Sequence, residues 1–114
     1  MKIEKFEDIL SWQKAKELNI EIYKLFSGHS DRGFRNQIER ASVSVMNNIA
    51  EGYERQTNNE FKQFLYIAKG SCGECRSMLI LGYELNYIKE DEYTNLYNMS
   101  VEISKLLSGF IKTL

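Results

Sequence analysis

Proline is absent from this sequence of 114 residues, although it makes up roughly 5% of an average protein. Because proline interrupts helices and is common in turns, its absence favours long helices over a turn-rich β fold. Cysteine is also scarce, with two residues, which is too few for a disulfide scaffold. The length and the 43% of hydrophobic residues predict a single globular domain over residues 1–114.

Long apolar runs are missing as well. The longest, around residues 78–83, is far shorter than the ~20 residues that cross a membrane. Residues 2–8 carry charges where a signal peptide has an apolar segment. These features predict a soluble, cytoplasmic protein with no membrane partner.

Neither sign of charge dominates, since 15 Lys and Arg face 16 Asp and Glu for a formal net charge of -1. The overall charge therefore gives no reason to expect nucleic-acid binding. The local placement of the cations does give a reason to expect it, because a cluster of them lies within residues 31–76. Its members are candidate nucleic-acid contacts: Arg32, Arg35, Arg40, Arg55, Lys62, Lys69 and Arg76. Glutamates are interleaved among them, so we expect a solvated face laced with salt bridges.

Apolar residues recur at steps of three and four in four segments, over residues 12–26, 34–52, 61–86 and 93–114. This spacing is typical of amphipathic helices, and no stretch shows the alternation of a strand. The sequence predicts an all-α, antiparallel, up-down-up-down four-helix bundle with short loops.

Signals for helix ends support this prediction. Gly28 is suited to a left-handed cap after the first helix. Ser30 or Asp31 is the expected N-cap of the second helix. The segment from Thr57 to Glu60 fits a capping box at the start of the third helix.

Predicted helices two and three, each expected to be about 25–28 residues long, carry a second apolar stripe beside the main one. Its members are Val43, Met46, Ala50 and Tyr53 on helix two, and Phe64, Ile67 and Met78 on helix three. A helix that is apolar on two sides has more surface to bury than one small bundle covers. We therefore expect a homo-oligomer.

No pattern indicates an enzyme, a cofactor or a metal site. Cys72 and Cys75 form a C-x-x-C pattern, but they continue the apolar seam of helix three, so we interpret them as core residues. The chain has one histidine, His29, and no Glu-x-x-His. It can therefore supply neither a zinc site nor the di-iron centre of some bundles. His29 is interpreted as a solvated loop residue.

Polar residues form one stripe along helix two. Its members are spaced three or four residues apart: Gln37, Arg40, Ser44, Asn48, Glu51 and Arg55. Ser71 and Glu74 of helix three are in position to face this stripe. Two interpretations stay open, namely a hydrogen-bonded network that fixes helix register or a subunit interface, and a polar groove that contacts a ligand.

The segment from Gln37 to Gly52 resembles the signature of the four-helix-bundle protein family that is encoded in 23S rRNA intervening sequences. Residues 61–74 are similar to the third-helix motif of that family, and residues 85–88 to the start of its fourth helix. The resemblance covers nearly the whole chain. It assigns the signature positions to Gln37, Arg40, Ser44, Asn48, Glu51, Gly52, Ser71 and Glu74, but it assigns no reaction to them.

The resemblance implies a bundle that assembles as a homopentameric ring. It also implies kinship with the accessory variability determinant of diversity-generating retroelements, which binds nucleic acid and a reverse transcriptase. Met46 stands where many relatives have proline, so we expect helix two to continue unkinked. Two functions follow as hypotheses: weak binding of RNA or DNA, or a scaffold that docks a protein such as a reverse transcriptase or a ribosomal component.

Overall fold

The computed structural model describes residues 2–114 and, within them, four α-helices and no strand. After a short 3₁₀-helix the helices are α1 (Leu10–Phe26), α2 (Arg32–Tyr53), α3 (Asn58–Glu84) and α4 (Glu90–Lys112). Each helix packs on the next, and α4 also packs on α1, whereas the backbones of α1 and α3 do not approach each other closely. The predicted four-helix bundle is confirmed, with α1 and α3 at opposite corners. None of the helices described is long and apolar enough to span a membrane.

The sequence signals at the end of α1 and at the starts of α2 and α3 are found in the structure. Gly28 has a positive φ of 72° after α1. The carboxylate of Asp31 caps α2 by accepting the backbone N–H of Phe34 at 3.0 Å. Thr57 caps α3 by accepting the backbone N–H of Glu60 at 3.1 Å. Glu60 accepts the hydroxyl of Thr57 instead of its backbone N–H, so only half of the predicted capping box forms.

The end of α3 differs from the prediction, which continued this helix through Asn86. The helix ends at Glu84 because Asn86 has a left-handed φ of 63°. The N–H of Tyr87 then bonds to the carbonyl of Gly82 at 2.8 Å, and the N–H of Asn86 to that of Tyr83 at 3.0 Å. This pair of bonds is a Schellman motif, in which asparagine replaces the usual glycine.

The core runs the length of the bundle and includes both cysteines. Cys72 and Cys75 are fully buried free thiols, as expected. The Cys72 thiol donates to the carbonyl of Ser100 in α4 at 3.1 Å. Burial raises the pKa of Cys75 to about 12, which keeps this thiol protonated and unreactive.

The second apolar stripe is partly covered within the bundle, and its member Ile67 is 52% exposed. Met78 is 8% exposed and belongs to the core, and Met46 and Tyr53 pack against it. α2 is 22 residues long, shorter than predicted, and runs through Met46 without a break. The exposed large apolar side chains of the four helices lie on α1 and α3: Leu10, Ile20, Tyr23, Tyr66, Ile67, Ile80 and Leu81.

Candidate functional site

A hydrogen-bonded network joins α2 to α3 at the centre of the predicted polar stripe. The hydroxyls of Ser44 and Ser71 lie 2.8 Å apart. The side-chain amide of Asn48 donates to the hydroxyl of Ser44 at 2.9 Å and to its carbonyl at 2.8 Å. All three residues are half-buried. The Ser44–Ser71 bond is the one that crosses between the helices, and at about 1 kcal/mol net it favours this register of α2 against α3.

Gly52 lets α2 approach α3 closely at one end of this network. A Cβ on Gly52 would lie 2.6 Å from the Cβ of Phe64 and 2.9 Å from Cδ1 of Phe61. Beside it, the guanidinium of Arg55 lies 4.8 Å from the ring centre of Phe64 and binds Glu51 at 3.1 Å. Gly52 is thus required by helix packing, and Glu51 and Arg55 form the ion pair that their spacing predicts.

The other end of the stripe opens into a shallow groove. A cavity of about 360 Å³ is lined by Gly33, Asn36, Gln37, Arg40 and Glu74. Gln37, Arg40 and Glu74 are exposed, and no ion pair joins Arg40 to Glu74 within the described residues. The groove therefore offers a cation, an anion and amide groups to a polar ligand.

The salt-bridged face expected across residues 31–76 does not form. Of the seven predicted cations, Arg55 is the one with an ion-pair partner among the residues described. For the three cations of α3 the reason is helical geometry, because side chains on a helix meet at spacings of three and four residues. The positions three and four residues away from Lys62, Lys69 and Arg76 hold no acidic residue.

Lys62, Lys69 and Arg76 lie seven residues apart in α3, which places them on one side of the helix at steps of about 10.5 Å. We call these three residues the α3 cation row. Burial raises the pKa of the Cys72 thiol, and the Arg76 guanidinium lies close enough to offset part of this rise. Cys72 in turn bonds to Ser100 of α4. Because Arg76 neighbours a residue that contacts α4, the row lies along the α4 side of α3.

Few acidic groups face the α3 cation row. Glu102 of α4 pairs with Lys14 of α1 at 3.7 Å, on the far side of α4 from α3. Glu74 lines the groove with Arg40, on the α2 side of α3. The buried Nη1 of Arg76 finds no hydrogen-bond acceptor among residues 2–114. The row therefore keeps its charge for a ligand.

The remaining predicted cations lie elsewhere. Arg35 precedes Ser42 by seven residues, and the hydroxyl of Ser42 donates to Asn19 of α1 at 2.6 Å, so Arg35 lies on the α1 side of α2. Arg32 is exposed at the start of α2, and Arg40 is exposed in the groove. The fold therefore distributes the seven cations predicted as one nucleic-acid surface over different sides of the bundle. The three members of the α3 cation row are the ones that share one side of a helix.

The sequence did not indicate a set of contacts between the α1–α2 loop and the residues that follow α3. We call this set, formed by His29, Asp31 and Tyr87, the clasp. The hydroxyl of Tyr87 donates to the carboxylate of Asp31 at 2.8 Å, and the backbone N–H of Asp31 donates to Nδ1 of His29 at 3.1 Å. The rings of His29 and Tyr87 lie 4.4 Å apart. The interpretation of His29 as a solvated residue is therefore wrong. Bonds from the Phe34 N–H and the Tyr87 hydroxyl lower the pKa of Asp31.

Groups of three or more His, Cys, Asp or Glu that could hold a metal ion do not occur in the described part of the chain. The clasp occupies the single histidine, and both thiols are protonated in the core.

Comparisons with known proteins agree with this arrangement. A family model described as 23S rRNA-intervening sequence protein matches residues 7–109. A solved structure from Bacteroides thetaiotaomicron, described as a protein of unknown function from the S23 ribosomal protein family, is 30% identical. It superposes with a TM-score of 0.85 over 90% of this chain and 99% of its own. No curated protein matches. The chain belongs to the 23S rRNA-intervening sequence protein family.

Proposed function

We propose that this protein is a non-enzymatic, homo-oligomeric bundle that binds RNA or DNA weakly in the cytoplasm. The observation that carries the proposal is the α3 cation row, whose three charges have no ion-pair partner in the described structure. The three charges follow one side of α3 at steps of about 10.5 Å. Such a linear row of cations suits a phosphate backbone, which is recognised by charge without regard to sequence.

Binding by one subunit is expected to be weak. Three cations release few counterions from a nucleic acid, and the net charge of -1 adds no long-range attraction. Assembly strengthens such binding, because copies of the row then contact one strand together. The ring of five that the family resemblance implies is the assembly we propose, and light scattering tests its size.

Fluorescence anisotropy with labelled RNA and DNA oligonucleotides tests the binding. We expect affinity to fall as salt rises from 50 to 200 mM, since each phosphate contact contributes about 0.7–0.9 to the slope of log K against log salt. Replacing Lys62, Lys69 and Arg76 with alanine should lower that slope by about two to three for each subunit in contact.

A matched control loses the same charge away from the row, by alanine replacement of the exposed residues Lys2, Lys5 and Lys89. The proposal requires this control to bind nearly as well as the wild type. Equal losses in both triple variants would indicate a general charge effect, and salt-independent binding, or none, would also contradict the proposal.

The groove of Arg40 and Glu74 supports the alternative function, a scaffold that docks a protein such as a reverse transcriptase or a ribosomal component. A groove that presents both signs of charge suits a protein surface better than a phosphate backbone. Affinity capture with the wild type and with Arg40→Glu tests this function. A partner that the wild type recovers and the variant loses favours the scaffold, whereas recovery of the protein alone counts against it.

A further inference from the structure

The exposed apolar surface of the helices is divided between two opposite corners of the bundle. Ile20 and Tyr23 of α1 are 43% and 44% exposed, and Tyr66, Ile80 and Leu81 of α3 are 59%, 43% and 46% exposed. α1 and α3 lie diagonally across the bundle, with no close approach of their backbones. Each copy of the chain therefore carries two different apolar faces on separate sides, as a head-to-tail assembly requires.

The two faces differ in shape. On the outward side of α3, small residues separate a lower apolar pair, Tyr66 and Ile67, from an upper pair, Ile80 and Leu81. The small residues are Gly70, Gly73 and Ser77. A Cβ on Gly70 would meet nothing within 4 Å, and one on Gly73 would meet only the Arg76 guanidinium, at 3.9 Å. Packing within the chain therefore does not require glycine at either position. Each glycine nevertheless lowers the stability of the helix by about 0.5–1 kcal/mol relative to alanine.

The faces also lie at matching heights along the bundle. Asn19 of α1 bonds to Ser42 of α2, and Ser44 of α2 bonds to Ser71 of α3. In antiparallel neighbours these bonds place Asn19 level with Gly73. Ile20 and Tyr23 thus stand at the height of the small residues on α3.

We propose that α1 of one copy packs against α3 of the next, with Ile20 and Tyr23 seated in the gap formed by Gly70, Gly73 and Ser77. This inference rests on the self-association in the proposed function and names its surface. Copies related by rotation about an axis along the bundle share the same height, so the bulky residues of one meet the small residues of the other. A long side of this 43 × 23 × 19 Å body offers the roughly 800 Å² per partner that stable interfaces bury.

Two variants test the surface from its two sides. Gly73→Leu fills the gap on α3 with a good helix former at a position that has space for it. Ile20→Glu places a charge in the apolar face of α1 at a site that tolerates exposure in the free subunit. Asn98→Leu, at an exposed position of α4, is the matched control. Circular dichroism confirms that each variant folds.

We expect each of the two variants to be monomeric by light scattering at concentrations where the wild type and Asn98→Leu are assembled. An equimolar mixture should form a dimer and nothing larger, because Gly73→Leu keeps an intact α1 face and Ile20→Glu keeps an intact α3 face. Truncation by Ile80→Ala should raise the midpoint concentration of dissociation by about tenfold or less, as a lost apolar contact does.

Several results would overturn the inference: wild-type assembly by either variant alone, a mixture that stays monomeric, or a stable dimer of Ile20→Glu alone, which would indicate pairing of α3 with α3. An assembled wild type that both variants leave intact refutes this surface alone. A monomeric wild type refutes the self-association as well, while nucleic-acid binding is decided separately by the anisotropy assay.

Discussion

Replacing Gly52 with alanine should destabilise the bundle, although alanine is the better helix former. The added Cβ would lie 2.6 Å from the Cβ of Phe64 and 2.9 Å from Cδ1 of Phe61. The Cβ of Phe64 is fixed to the backbone of α3, so rotation of the side chain does not move it away. α2 and α3 must instead separate locally by several tenths of an ångström or more.

The size of the effect follows from two opposing terms. Overpacking of a well-packed core costs about 1–3 kcal/mol, and the gain from replacing glycine in a helix is about 0.5–1 kcal/mol. Taken at the centres of their ranges, the two terms lower the free energy of unfolding by about 1 kcal/mol, and the ranges allow a fall of up to about 2.5 kcal/mol. For a chain of this length that change lowers the melting temperature by about 4–10 °C.

Urea and thermal denaturation followed by circular dichroism measure this change. Gly109→Ala is the control, because a Cβ there would meet nothing within 4 Å, and it should leave stability unchanged or slightly raised. Gly82→Ala should fall between the two, since its contacts at 2.8 and 3.0 Å are the far ends of the Phe34 and Ile88 side chains. If Gly52→Ala and Gly109→Ala prove equally stable, the close approach of α2 and α3 is wrong.

Three further outcomes are expected. Replacing both Cys72 and Cys75 with alanine should lower the free energy of unfolding by about 1–4 kcal/mol in urea titrations, as modest core truncations do. In the native wild type both thiols should resist alkylation at pH 8, since they are buried and the pKa of Cys75 is about 12; rapid modification would contradict this. Because the folded pKa of Asp31 is lowered, its stabilising effect is present above the unfolded pKa and lost as pH falls through the folded value. Tyr87→Phe should weaken this acid dependence of the melting temperature, and an unchanged dependence would rule out the clasp as its source.

The bundle could be predicted from sequence because the apolar period extends through each helix. The end of α3 could not, because the period continues to Asn86 while a single left-handed residue ends the helix. Asparagine tolerates that conformation better than most residues, so its presence before Tyr87 was the available signal. A local backbone state decided the boundary, and hydrophobic spacing does not report it.

The cations illustrate a second limit. Clustering along the chain grouped Arg35 with Lys62 and Lys69, although they lie on different helices and different sides of the bundle. The spacing of seven within α3 was visible in the sequence, as was the lack of acids three or four residues away. Helical spacing was thus the more informative measure, because ion pairing depends on which side chains meet.

The clasp between His29, Asp31 and Tyr87 lay beyond prediction for another reason. Asp31 and Tyr87 are 56 residues apart, and they meet because the α1–α2 loop and the end of α3 lie at the same end of the bundle. No pattern within either loop indicates the other. Such a contact depends on the packed fold as a whole.

The α3 cation row and the outward apolar face occupy adjacent sides of one helix, and this adjacency joins the two proposals. If α1 of the next copy packs on the outward face of α3, it borders the row and adds its own side chains to that edge. Every copy around the assembly then presents a row in the same orientation. Because linked weak sites bind together far more tightly than one alone, affinity for nucleic acid becomes a property of the assembly. A chain with a net charge of -1 can then hold a polyanion that a single subunit scarcely binds.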